Sequence, residues 1–439
     1  MTTSLPDTPV THPLPPLVTE RIRALRERPA EPVDKGLGLL ASDTDGPTPA
    51  GLARSSPALR AAGFSYPVLT LRESALAGNL EAMAAFCARA GVQLAPHGKT
   101  AMSPELAARQ LASGAWGITV ATIGQLRTYR AFGFPRLLLA NELVDEAGIA
   151  WLAAELAADP GFAAYCYVDS TDGVAILDRV LADHPAGRRL PVLVEIGAEA
   201  GRTGCRSDEE ALAVARAAAA TGTLTVAGVA GYEGSIHAGS QAQTNDLITS
   251  FCQRLAHLSG PVASLVKAGD EFIVTAGGSV SFDIVARELA TTGMTVILRS
   301  GGYLFHDHGL YAQVTPAARG VPGAPVLQPA LELWAQVVSR PEPGLALLSA
   351  GRRDAGFDAG LPVPLRTIRR DGEPADLAGE VIAVNDQHAY LRLDPGTALA
   401  PGDLVCLGIS HPCTTLDKWR LIPVLDEKDH VIDVVHTFF

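Results

Sequence analysis

The sequence predicts a (β/α)8 barrel of the TIM type followed by a separate β domain, and three observations carry this reading. Eight short β-rich runs alternate with alanine-rich helical stretches between residues 93 and 302. Past about residue 310 the alternation gives way to apolar runs punctuated by proline and glycine. At 439 residues, with 47% hydrophobic and 19% charged side chains, the chain also exceeds what one hydrophobic core usually organises.

Residues 1–65 are Pro-rich and weakly periodic, so they read as an arm on the body, with a short helix around TERIRALRERP. YPVLTLR at 66–72 reads as a strand. It precedes the barrel and would be a surplus strand within it, so it is expected to join the β domain. In SALAGNLEAMAAFCARAG, the residues Leu76, Leu80, Met83 and Ala84 fall on one helical face and form core. The barrel runs are QLAPHGK, GITVAT, RLLLAN, YCYVDS, LPVLVEI, LTVAGVAGYE, FIVTAGGS and MTVILRSGG. Helix starts between them are well marked, most clearly by Ser103-Pro104-Glu105, an N-cap followed by Pro and an acid in the first turn. The barrel domain is placed at 66–309 and the β domain at 310–439, the latter built from LELWAQVVSR, GEVIAVNDQHAYLRLD, PGDLVCLGIS and HVIDVVHTFF.

A formal net charge of −12 leaves no basic stripe to track a phosphate backbone, which argues against a nucleic-acid partner. The amino terminus has neither a basic segment nor an apolar one behind it, and no run approaches membrane length, so no membrane association and a cytoplasmic location are expected. Six cysteines are scattered singly through a chain large enough to fold without staples. Of these, Cys413, two residues from His411, is the one placed for metal chemistry.

In such a barrel the active site lies at the carboxyl ends of the strands, and phosphate is commonly held after strands 7 and 8. The seventh run ends in Ala276-Gly277-Gly278-Ser279 and the eighth in Arg299-Ser300-Gly301-Gly302-Tyr303. Glycines there let backbone N–H groups approach a phosphate. Either loop alone reads better as an ordinary turn, but the pair at these two strands points to an anion. The first run ends in Ala95-Pro96-His97-Gly98-Lys99-Thr100. A lysine closing an apolar barrel strand directs its amine into the mouth, with His97 on the same face. Desolvated near other cations, that amine becomes a nucleophile, whereas the plain alternative is a surface lysine.

Six motifs in order, from about Tyr66 to the carboxyl terminus, resemble the fold-type III pyridoxal-phosphate enzymes with an alanine racemase N-terminal-like barrel. Within them the chain is most similar to the D-serine dehydratase-like group, which includes D-threonine aldolases. The motifs are PHGKT, LVEIGAEAGRTGCRS, GYEGSIH, AGGS, RSGGYLFHD and SHPCTTLDKWRLIPVLD. The resemblance implies pyridoxal 5'-phosphate (PLP) carried by Lys99, with Gly278, Ser279, Gly301 and Tyr303 around its phosphate. It sets Arg202 near the cofactor's phenolic oxygen and Arg299 near its ring nitrogen, with His97, Tyr232 and Asp307 as neighbours of the chemistry. Two departures stand out. Ser235 and Ile236 separate Gly234 from His237, where the family has Gly-His, and Ala95 and Ala101-Met102 replace basic residues that many members carry around the lysine.

His411-Pro412-Cys413 resembles the metal pair of D-serine dehydratases, where the aldolases tend to have His-x-Asp. Imidazole with thiolate favours zinc over manganese or magnesium. In an extended segment residues two apart face the same way, and two protein ligands leave positions open for water or substrate. The activity implied is that of an amino acid deaminase of the ammonia-lyase class: PLP-dependent, zinc-assisted deamination of a D-configured β-hydroxy amino acid, with D-serine as leading candidate. The alternatives are a D-threonine-type aldolase, an amino-acid racemase, or a non-catalytic PLP-binding protein. Cys413 leans against the aldolase and the second domain against the carrier. A homodimer follows from the resemblance alone.

Overall fold

A computed structural model describes residues 12–31, 33–37, 47–60, 63–266, 271–370, 372 and 374–439. Within the arm read at 1–65, residues 1–11, 32, 38–46 and 61–62 lie outside the described residues.

Strand β1 (Val68–Arg72) stands apart from the eight that follow it. Those are β2 (Gln93–Leu94), β3 (Ile118–Val120), β4 (Arg136–Glu142), β5 (Ala163–Val168), β6 (Leu190–Ile196), β7 (Leu224–Gly231), β8 (Ile273–Ala276) and β9 (Thr295–Leu298). They form one parallel sheet in the order β2-β9-β8-β7-β6-β5-β4-β3. The gap between β2 and β3 is spanned by a bridge from His97 to Thr119 and by the Trp116 N–H bonded to the Leu94 carbonyl at 2.7 Å. The strands read as continuous apolar runs because both faces are covered. Inside the ring Leu138, Tyr167, Leu193, Ala230, Ile273 and Ile297 pack on one another, and outside it the larger core is made with the helices. Each side chain of Leu or Ile size buried this way contributes about 1.5–3 kcal/mol.

Local signals set where the helices begin. Ser103 Oγ accepts the Leu106 N–H at the start of Pro104–Ala112. Ser207 and Glu210 make a reciprocal capping box at the start of Asp208–Ala220. The helix Glu73–Ala90 buries Leu76, Leu80 and Met83.

The remaining strands are β10 (Leu331–Glu342), β11 (Leu345–Leu348), β12 (Val363–Ile368), β13 (Pro374–Asp376), β14 (Glu380–Val384), β15 (Ala389–Arg392), β16 (Leu404–Gly408), β17 (Leu421–Leu425) and β18 (Val431–His436). They make a 10-stranded sheet in which β13-β12-β16-β10-β1-β17-β18 is one path and β11, β15 and β14 continue from β10. In it β1 runs antiparallel to β10 and parallel to β17. The joint is reinforced by Glu332 on β10, which takes both Arg72 of β1 and Arg366 of β12 at 2.7 Å. In the arm the helix Pro16–Arg26 docks through a 2.8 Å ion pair between Arg26 and Asp433.

The first run of the barrel is shorter than its sequence suggests. Strand β2 stops at Leu94, and Gly98–Thr100 is a 3-10 turn. Pro96 has no N–H to donate to a ladder, and the bare Cα of Gly98 packs against Tyr129, where a Cβ would lie 2.6 Å from the phenol oxygen. No helix among the described residues is long and apolar enough to cross a membrane. All six cysteines are free.

Candidate active site

The carboxyl ends of the barrel strands and the segment after β16 enclose a cavity of about 370 Å³, within the range that small-molecule sites occupy. It is lined by His97, Lys99, Arg202, Tyr232, Gly278, Ser279, Arg299, Gly301, His411 and Cys413. Of the residues singled out from the sequence, Tyr303, Asp307 and His237 are the ones that do not line it.

Lys99 stands in the 3-10 turn, which is wedged from two sides. The Tyr129 hydroxyl donates to the Gly98 carbonyl at 2.9 Å, and a Cβ on Gly301 would lie 2.4 Å from the His97 carbonyl oxygen. The amine opens into the cavity, yet its surroundings are protein. Burial lowers its pKa, the Cys413 sulfur opposes that, and the charges of Arg202 and Arg299 lower it further. The unprotonated amine that attacks an aldehyde is thereby favoured. His97 is held neutral by burial, then by Lys99 and Arg299, and its Nδ1 has no partner.

Arg299 is 6% exposed and fixed by hydrogen bonds from Nη1 to Thr275 Oγ1 at 2.8 Å and from Nη2 to the Gly231 carbonyl at 2.6 Å. Among the described residues no carboxylate pairs with it, so its charge remains available to the cavity. Arg202 lies over the Tyr232 ring at 5.1 Å. Burial and then Glu233 raise the Tyr232 phenol.

The glycine loops are organised differently from their sequence reading. The buried Glu233 carboxylate takes the Gly277 and Gly278 N–H groups at 3.0 and 2.6 Å, so these donors are committed within the protein. The groups that remain for an anion are Ser279, whose Oγ accepts the Gly302 N–H at 3.0 Å, and Tyr311, which lines the cavity with it. The placement of Tyr303 in the cavity is corrected. Gly302–Leu304 is a 3-10 turn that sends Tyr303 into the core, 2% exposed, where its hydroxyl accepts from Gln110 Nε2 at 3.1 Å. His237 is exposed and Ser235 reaches the cavity instead. Asp307 also lies outside the lining, its Oδ1 taking the N–H groups of Gly309 and Tyr311 at 2.8 and 2.9 Å.

His411 and Cys413 share the cavity, but not through an extended segment. Pro412 is helical, with φ −58° and ψ −43°, and Cys413 opens the short helix Cys413–Leu416. Proline suits a helix start, and the turn keeps both side chains on one side. His411 Nδ1 bonds Asp358 Oδ2 at 2.6 Å, and Thr414 donates to Asp358 Oδ1 at 2.7 Å. A histidine held by a carboxylate at Nδ1 presents Nε2 as a ligand, the arrangement typical of metal-binding histidines. The sequence reading missed the role of Glu233, missed Asp358 and Tyr311, and also missed three clustered carboxylates, Glu142, Asp169 and Glu195. Burial, and then the Glu195 charge, raise the Glu142 carboxyl above the ordinary carboxylate range. A wider, open groove of about 750 Å³ beside Arg340 and Arg369 lies in the second sheet, away from Lys99.

Known proteins match over this whole framework. Residues 71–272 match the family described as "Alanine racemase, N-terminal domain" and residues 330–425 the "Putative serine dehydratase domain". A D-threonine aldolase from Arthrobacter sp is 30% identical over 351 residues, covering 79% of this chain and 85% of that protein. The chain belongs to the fold-type III PLP enzymes of the D-serine dehydratase and D-threonine aldolase group. A second relative in that group, the D-threo-3-hydroxyaspartate dehydratase of Delftia sp. (strain HT23), is 28% identical over 320 residues, covering 71% of this chain and 79% of that protein. The crystal structure of D-threonine aldolase from Filomicrobium marinum shares the fold, with a TM-score of 0.72, 24% identity, and coverage of 85% of this chain and 95% of that one. Both named activities of these relatives are those of lyases.

Proposed function

We propose that this enzyme deaminates a D-configured β-hydroxy amino acid, with D-serine its leading substrate, to an α-keto acid and ammonia, assisted by zinc. The observation that carries the reading is that an imidazole and a thiol, His411 and Cys413, share one cavity with Lys99. The residues present fit PLP: a lysine of lowered pKa, an arginine fixed without a carboxylate partner among the described residues, and a close approach at Gly301 that leaves no space for a side chain. They also fit zinc, since nitrogen and sulfur donors with an oriented histidine suit that metal.

When bound, PLP supplies the electron sink that acidifies the α-carbon, and Arg299 at the ring nitrogen would leave that sink weaker than an acid partner would. Zinc on His411 and Cys413 would supply a Lewis acid for the β-hydroxyl. Lys99 Nζ, already inclined to the free base, takes the α-proton. His97, neutral beside it, adds no competing positive charge. Arg202 binds anionic groups at the mouth, and Ser279, its Oγ set by the Gly302 N–H, holds the phosphate end together with Tyr311. The α-proton and β-hydroxyl leave as water, and the unsaturated amine released is hydrolysed to keto acid and ammonia.

A second reading, aldol cleavage, is favoured by the 30% identity to a D-threonine aldolase. One experiment separates the two. The purified enzyme with PLP and zinc is offered D-serine, L-serine and D-threonine. Keto acid and ammonia from the D-isomer support deamination. Glycine and an aldehyde from D-threonine, with no ammonia from any substrate, overturn it. Lys99→Ala should abolish either reaction together with the absorbance of the bound cofactor.

A further inference from the structure

Beyond the lysine and the His411 and Cys413 pair, the same barrel mouth carries a group that the proposed chemistry does not use. Glu142 ends β4, Asp169 follows β5 and Glu195 lies near the end of β6. Each continues the inward face of its strand, two residues past Ala140, Tyr167 and Leu193 respectively. One oxygen from each of the three lies within 4.8 Å of the others.

The group is built, not merely acidic. Asp169 Oδ2 accepts the Gly204 N–H at 3.0 Å, across a loop that only glycine permits: Gly204 has φ +100°, and a Cβ would stand 2.4 Å from the Gly197 nitrogen. Independently of the carboxylates, Tyr167, 1% exposed and paired in register with Glu142, lines the cavity beside Glu195, and its hydroxyl has no partner among the described residues. Glu195 is itself 6% exposed, and among the described residues its Oε2 and both oxygens of Glu142 have no partner.

Buried polar atoms are rarely left without partners. A single proton shared between Glu142 and Glu195 would satisfy one contact and leave the second Glu142 oxygen and the Tyr167 hydroxyl orphaned. A hydrated cation takes carboxylates directly and further groups through its waters. All the donors are oxygen, which suits a hard divalent ion and contrasts with the imidazole and thiol of the other pair. Glu195 lines the same cavity as Lys99, Arg202 and Arg299, and a cation held between the three carboxylates would itself favour their ionised forms, Glu142 included. We propose that Glu142, Asp169 and Glu195 form a second cation site, for a hard divalent ion of the magnesium, manganese or calcium class, distinct from the His411 and Cys413 pair. Its occupancy does not depend on which reaction the enzyme performs.

The probe is Mn2+, counted by electron paramagnetic resonance on PLP-loaded, chelator-treated full-length protein without substrate. His411→Ala/Cys413→Ser removes the other donor set and should still bind one Mn2+ per chain. Adding Glu195→Gln should weaken that binding by about tenfold or more, as loss of a ligand charge does. Should Glu195→Gln fail to fold, judged by circular dichroism and cofactor absorbance, Glu142→Gln at the half-buried position must give the same loss. The proposal is overturned if the double variant binds no Mn2+, or if neither carboxamide variant weakens binding. It is equally overturned if infrared spectra show a protonated carboxyl that vanishes in Glu142→Gln and is untouched by Mn2+.

Discussion

Alanine in place of Gly301 and alanine in place of Gly278 should have very different consequences, although both glycines sit in loops read as phosphate cups. Gly301 has an ordinary φ of −112°, so backbone strain is not the issue. Its Cβ would stand 2.4 Å from the His97 carbonyl oxygen and 2.9 Å from the His97 Cβ, about 1 Å inside ordinary contact, and the first of these is backbone. Either the loop after β9 or the turn holding Lys99 must move. Overpacking of this kind costs about 1–3 kcal/mol. If the strain is relieved by shifting Lys99 or the Gly302 N–H, it appears in cofactor affinity as a weakening of roughly 5- to 150-fold. At Gly278 the nearest atoms to a Cβ are Glu233 Oε1 and Tyr232 Cε2, both at 3.4 Å, which is ordinary contact. Its N–H is already bound to Glu233, so Gly278→Ala should change affinity by less than about twofold, the scale of a substitution that disturbs nothing. The assay is PLP titration of apoprotein followed by cofactor absorbance, with a thermal melt of each variant. The reasoning fails if Gly278→Ala is as damaging as Gly301→Ala, or if Gly301→Ala binds PLP like the parent with an unchanged melt.

Three further outcomes are expected. Arg202 lowers the Lys99 pKa, so Arg202→Gln should raise it, leave less free amine at neutral pH, and move the pH midpoint of cofactor capture by apoprotein upward; a midpoint that stays or falls contradicts the assignment. Asp358→Asn keeps the size but removes the charge behind His411, and should weaken zinc by about 10- to 100-fold in a chelator competition while cofactor absorbance is unchanged. Chelation of the parent enzyme should stop keto-acid release and spare both the melt and the cofactor absorbance, because the core is made without those side chains; a collapse of the fold would make the metal structural.

The barrel was legible because its evidence is repeated: eight apolar runs, each followed by a helical period, constrain one another in a way no single segment does. The chemistry at hand was legible too, since Lys99, Arg202, Arg299, Ser279, His411 and Cys413 all reach one cavity. Side-chain direction at the turns was not. Alternation by two holds inside strands, but Lys99 and Tyr303 stand in 3-10 turns of period three, and Tyr303 consequently points at Gln110. His411 and Cys413 illustrate the same point in reverse, since they share the cavity through a helical proline and not through the extended pairing that placed them there. The partners that fix the site are further out of reach. Glu233 holds loop N–H groups 44 and 45 positions away, and Asp358 orients a histidine 53 positions away, with nothing local in either stretch to announce the bond. A glycine in a sequence likewise states that a side chain is absent, not what its absence makes room for. At Gly301 that is the backbone of the lysine turn, at Gly204 the strand end that sets Asp169, and at Gly278 almost nothing. Close approach is a property of two segments, so it becomes readable only when both are in place.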